Sequence, residues 1–93
     1  MVVIIVERAP VSLRGDLTRW LLEARAGVFV GSVSGIVRDR LWERVCQGLK
    51  GGAALMAHSS DGEQGFRLRF WGDTSRIVED FDGLSLIRIP QNQ

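Results

Sequence analysis

Two stretches of helical period, separated by a short apolar run between glycines, constrain this chain more than any other feature. In the first, Leu13, Leu17, Trp20, Leu21 and Ala24 fall at i, i+4, i+7, i+8 and i+11, which makes one apolar stripe. Asp16, Arg19 and Glu23 lie off that stripe at spacings suited to ion pairing along a helix. Ser12 stands where an N-cap is expected, and Gly27 where the helix should end. In the second stretch, Val37, Leu41, Val45 and Leu49 form the stripe, and Trp42 and Cys46 widen it. Ser34 is its expected cap, and Gly51 and Gly52 its stop. Each amphipathic helix must bury its stripe, and two of similar length predict one sheet on which both pack.

The rest of the chain supplies that sheet. Val2–Val6 is an uninterrupted β-branched run, suited to a central strand buried on both faces. Val28–Val30, closed by Gly31, predicts a short strand, and Ala53–Ala57 another buried one. The segment Ser59–Gly65 reads as a turn. Phe66–Trp71 alternates, with Phe66, Leu68 and Phe70 expected toward the core and Arg67, Arg69 and Trp71 outward. Asp73–Asp82 is polar and irregular, and Leu84–Ile89 predicts a last strand stopped by Pro90. The expected order is β-α-β-α-β-β-β. This is an α+β ferredoxin-like sandwich, two helices on one mainly antiparallel sheet, with an extra C-terminal strand. The 93 residues fit a single such domain, residues 1–93. A domain of that size has a limited core, and an apolar strand face after Gly83 would want covering. A homodimer is therefore expected, with Leu84, Leu86, Ile87 and Ile89 in contacts with a second subunit or another partner.

Composition excludes several classes. Net charge is only +1, so the chain is no polycation, yet eleven of its twelve basic residues are arginine, Lys50 being the exception. The guanidinium fork suits phosphate and carboxylate, although a GC-rich genome also favours arginine. A lone cysteine, Cys46, rules out an intrachain disulfide and fits a reducing, cytoplasmic setting. The apolar start is too short for a signal peptide, and no stretch approaches a membrane helix.

Arginines recur at the two helix starts. Arg8 and Arg14 flank the first, and Arg38 lies in the first turn of the second. Cations there oppose the helix dipole by roughly 0.3–1 kcal/mol each. Either an anion such as phosphate sits at these positions, held by Ser12, free N–H groups and the arginines, or the guanidinium groups swing into water. Carboxylates offer the one route to metal chemistry. Glu7 follows a buried strand, and a Mg²⁺ site would pair it with Glu63, Asp80 or Asp82; acidic residues at strand ends are also common in any small domain. His58 stands alone near a strand end, where a polar edge residue is the ordinary reading.

The segments RGDLTRWLLEARAGVFVGSVS, VRDRLWERV, EQGFRLRFWG and DFDGLSLI, in that order, resemble the type I-E form of the small CRISPR-associated spacer-acquisition protein, the non-integrase subunit of the adaptation complex. The resemblance spans nearly the whole chain. It implies a ferredoxin-like fold, a homodimer flanked by two dimers of the CRISPR integrase, and contact with the duplex of an incoming DNA fragment. It places backbone-binding residues at Arg14, Arg38 and Arg76, with Arg25 a further candidate, and has Ser12 where a basic residue is expected. The carboxylates proposed for nuclease work in that family fall on Glu7, Glu63 and Asp82, with Glu7 and Asp82 as metal candidates. Many relatives outside type I-E end the first strand with aspartate; this chain has Ile5-Val6-Glu7-Arg8 instead. Three functions follow as expectations. One is a DNA-binding scaffold needing no cofactor, and another is a metal-dependent endonuclease using Mg²⁺ on RNA or duplex DNA. The third is a dimer that binds only protein.

Overall fold

A computed structural model describes residues 1–60, 65–75 and 77. Seven elements follow one another: β1 (Val2–Glu7), α1 (Val11–Thr18), β2 (Leu22–Arg25), β3 (Val28–Gly31), α2 (Gly35–Gly48), β4 (Ala53–Ser59) and β5 (Phe66–Trp71). They build one five-stranded sheet in the order β2-β3-β1-β4-β5, with every neighbouring pair antiparallel. Each helix thus links strands that skip one neighbour, β1 to β2 past β3 and β3 to β4 past β1. This is the ferredoxin-like α+β arrangement, with β5 added at the edge beside β4. The further strand expected at Leu84–Ile89 lies outside the described residues.

The β-branched run occupies the centre. β1 pairs with β3 on one side and β4 on the other. Strand alternation sends Val2, Ile4 and Val6 to the helices, where they join Phe29, Ala54 and Met56 of the sheet. Leu13 and Leu17 of α1, Leu21 after it, and Leu41, Val45 and Leu49 from α2 onward close that core. Full burial of such side chains contributes roughly 1.5–3 kcal/mol each. The opposite face holds a smaller cluster of Ile5, Ala53, Leu55 and Ile77. Ile77, read from sequence as part of a polar irregular stretch, is 1% exposed there.

The first helix is shorter than its stripe predicts. It ends at Thr18, whose hydroxyl donates back to the Gly15 carbonyl at 2.8 Å. Leu22–Arg25 is a strand, paired with β3 through Leu22↔Val30 and Arg25↔Val28. A tight turn at Ala26 and Gly27 joins the two. Gly27 has φ +80°, and a Cβ there would meet the Val6 carbonyl oxygen at 2.7 Å. Trp20 and Ala24, expected on the buried stripe, are exposed. The N-cap also differs: Pro10 occupies it with no side-chain cap, and Ser12 lies within the first turn, exposed. α2 follows the sequence closely. Ser34 Oγ accepts from the Val37 N–H at 3.2 Å, and the stripe residues Leu41 and Val45 are buried.

Candidate nucleic-acid interface

Arg38 leaves the first turn of α2 and reaches over the end of β4. Its Nη1 lies 3.3 Å from His58 Nδ1, and its Nε lies 3.1 Å from Asp39 Oδ1. The register of β5 on β4 pairs His58 with Arg67 and Met56 with Arg69. Because Met56 faces the helices, Arg67 and Arg69 lie on the helix side of the sheet, beyond the edge that α2 covers. Arg69 Nη2 then reaches Asp39 Oδ1 at 2.9 Å, so one carboxylate oxygen serves both Arg38 and Arg69. Arg38, His58, Ser59, Ser60, Arg67 and Arg69 line an open concavity of about 440 Å³. Three guanidinium groups converge, and among the described residues one carboxylate, Asp39, is paired with two of them. Asp39 is held below the ordinary carboxylate range, chiefly by the hydrogen bond from Arg38 and then by Arg69, with burial opposing.

His58 is 5% exposed. Its Nδ1 lies 3.0 Å from the Ser59 carbonyl oxygen. With the proton on Nδ1 the ring donates to that carbonyl; with the proton on Nε2 it accepts from Arg38. In neither tautomer does Nε2 find a partner among the described residues. The sequence reading of His58 as a polar edge residue therefore changes. It is a buried ring that backs the arginines.

The start of α1 is arranged differently. Arg8 sits at φ +56° and turns its guanidinium onto the Gly51 carbonyl. Arg14 Nη2 donates to Glu23 Oε2 at 2.8 Å, and the same oxygen accepts the Gly27 N–H at 3.0 Å. The Gly27 N–H, followed by Arg14, pulls Glu23 below the ordinary carboxylate range. Arg8 and Arg14 thus point to separate partners instead of closing on one anion. Arg14 stays 42% exposed beside a shallow groove shared with Val11, Gly15 and Thr18. Arg25 is exposed on the edge strand β2, and Arg76 lies outside the described residues.

Of the acidic candidates, only Glu7 lies among the described residues. Glu7 ends β1 half-buried, in step with Val3 and Ile5 and so on the face away from the helices. Glu63, Asp80 and Asp82 lie outside the described residues, as do Leu84, Leu86, Ile87 and Ile89. Among the described residues no group of three or more His, Cys, Asp or Glu could hold a metal ion. Cys46 is a half-buried thiol whose pKa burial pushes up, so at neutral pH it is protonated and packs as an apolar group. No helix among the described residues is long and apolar enough to cross a membrane.

The arrangement therefore offers fixed cations to a polyanion. Alternation sets Arg67, Arg69 and Trp71 on the face of β5 opposite Phe66, Leu68 and Phe70 and expects that face outward; the structure turns it toward the helix side, and Phe70, expected in the core, is 51% exposed. Only the pairing of β5 with β4 brings Arg67 and Arg69 to Arg38. A family model described as CRISPR-associated protein (Cas_Cas2CT1978) matches residues 1–86 of the chain.

Proposed function

From the premise that the chain belongs to this family, as a Cas2-type CRISPR protein with a role in CRISPR adaptation, we propose that it is a dimeric DNA-binding scaffold of the spacer-acquisition complex. In this reading the dimer bridges two integrase dimers and holds the duplex of the incoming fragment. The observation that carries it is the convergence of Arg38, Arg67 and Arg69 on one concavity, where among the described residues Asp39 is the carboxylate bonded to Arg38 and Arg69. Such a cluster recognises backbone phosphates by charge and geometry and carries no base readout, which suits capture of fragments of any sequence. Arg14, and Arg25 and Arg76 by resemblance to the type I-E form, extend the track along the duplex, with Ser12 contributing its hydroxyl. The scaffold role needs no cofactor.

Duplex binding by the full chain, with and without the integrase, tests the proposal. Affinity should be similar on two unrelated duplexes and fall steeply with salt, each phosphate contact adding about −0.9 to the slope of log K against log salt. Light scattering at micromolar concentration should return a dimer. Mg²⁺-dependent cleavage that requires Glu7, or a salt-independent lack of duplex binding by the assembled complex, overturns it.

A further inference from the structure

A second concavity lies on the other side of α2. Asp16, Arg19 and Trp20, at and just after the end of α1, face Val37, Arg40, Leu41 and Arg44 of α2 across a groove of about 320 Å³. Positions 37, 40, 41 and 44 are one face of that helix. Arg40 is two residues from Arg38, about 200° around the helix at 3.6 residues per turn. The groove and the arginine cluster therefore occupy opposite flanks of α2.

The walls and floor differ in kind. Arg44 Nε donates to Asp16 Oδ2 at 2.8 Å and ties the two helices together at one end. Leu41 is 6% exposed and forms the floor with half-buried Val37. Trp20 is 57% exposed, an indole left in water after the first helix stops short. Arg19 and Arg40 are exposed, and neither makes an ion pair or side-chain hydrogen bond among the described residues. Three guanidinium groups thus rim an apolar floor, and Asp16, the carboxylate among the described lining residues, is already engaged.

We propose that this groove docks an acidic segment of a partner protein, with one large apolar side chain of that segment seated on Trp20, Val37 and Leu41. Charge complementarity selects an acidic segment. The floor selects an apolar anchor, since a phosphate backbone gains nothing from Val37 and Leu41, and stacking of successive bases needs more than one exposed ring. A Trp beside several Arg, around a small apolar pocket, is also the composition that dominates the energetics of protein interfaces. This inference stands apart from the DNA reading, because it uses none of Arg14, Arg38, Arg67 or Arg69.

The test uses the full chain, ¹⁵N-labelled, and three labelled twelve-residue peptides: glutamates with a central Leu-Phe, glutamates alone, and the Leu-Phe centre flanked by serines. The expected result is that the anchored acidic peptide binds at least tenfold tighter than either control and shifts the Trp20 indole N–H resonance. Trp20→Ala and Arg40→Glu should each weaken it about tenfold, while Arg40→Lys keeps most of the affinity and Trp20→Ala leaves duplex DNA binding unchanged. Trp20 and Arg40 are exposed, so circular dichroism should show all three variants folded. Equal binding of the anchored and unanchored acidic peptides overturns the proposal, as does absence of peptide binding. So does a duplex that shifts the Trp20 resonance and loses affinity in Trp20→Ala, which would make the groove part of the nucleic-acid surface.

Discussion

Arg14 on the first helix donates to Glu23 on the strand that follows it, across 2.8 Å, although the sequence pattern had placed both on one helix. The pair fastens the end of the β2–β3 hairpin to α1, because Glu23 also holds the Gly27 N–H at the turn.

Arg14→Ala therefore has two opposed effects on stability. It removes a cation that opposes the dipole of α1, and it removes a partly exposed, solvent-screened ion pair, two small effects of opposite sign. The thermal midpoint should move by no more than a few degrees. Duplex binding should weaken on unrelated sequences alike, and the salt slope should flatten by about two for the dimer, which presents the contact twice. Fluorescence anisotropy over a salt series checks it. An unchanged slope removes Arg14 from the phosphate track.

Asp39→Asn should tighten duplex binding several-fold at neutral pH and steepen the salt slope, because it releases Arg38 and Arg69 from their shared carboxylate oxygen. The same carboxylate gives stability a pH dependence of known sign. Its folded pKa lies below the unfolded value, so the folded state binds fewer protons through that window. The contribution is present above the unfolded carboxyl pKa and is lost as pH falls through the depressed folded one. Denaturant midpoints measured from neutral to strongly acidic pH should show a shallower acid loss in Asp39→Asn than in the parent.

Glu7→Ala, Glu63→Ala and Asp82→Ala should each leave spacer acquisition in cells largely intact. Glu7 stands on the face away from the arginines, and no described carboxylate joins it in a metal-binding group. Sequencing of newly acquired spacers checks this. A severe defect from Glu7→Ala, with folding and integrase binding unchanged, would overturn the scaffold reading.

Two glycines should respond to alanine with opposite signs. At Gly27 the φ of +80° disfavours any side chain, and the added Cβ would press on the Val6 carbonyl oxygen at 2.7 Å. Gly27→Ala should cost about 1–3 kcal/mol. Gly15 lies inside α1, and no neighbouring atom comes within 4 Å of the place an alanine methyl would take. Gly15→Ala should therefore add about 0.5–1 kcal/mol through helix propensity. Urea denaturation of both variants decides the signs.

Where a local signal was enough, the sequence alone determined the element. Ser34 caps the start of α2, since capping acts within one turn, and the helix ends at Gly48, where Leu49 turns extended just before the expected Gly51-Gly52 stop. The β-branched run at Val2–Val6 suits a central strand and occupies one, and β5 spans the residues that its alternation predicts, Phe66–Trp71. The tertiary structure decided what competition between elements decides. A helical stripe from Leu13 to Ala24 was available, yet Leu22–Arg25 pairs with β3 as the edge strand of the sheet and leaves Trp20 in water. Alternation separates two faces of β5 but cannot tell which one lies toward the helices. That follows from register with β4, and it brings Arg67 and Arg69 to Arg38. Helix stops and strand periods are written in neighbouring residues. A cluster drawn from a helix start and two strands depends on long-range pairing, which a one-residue slip would reverse.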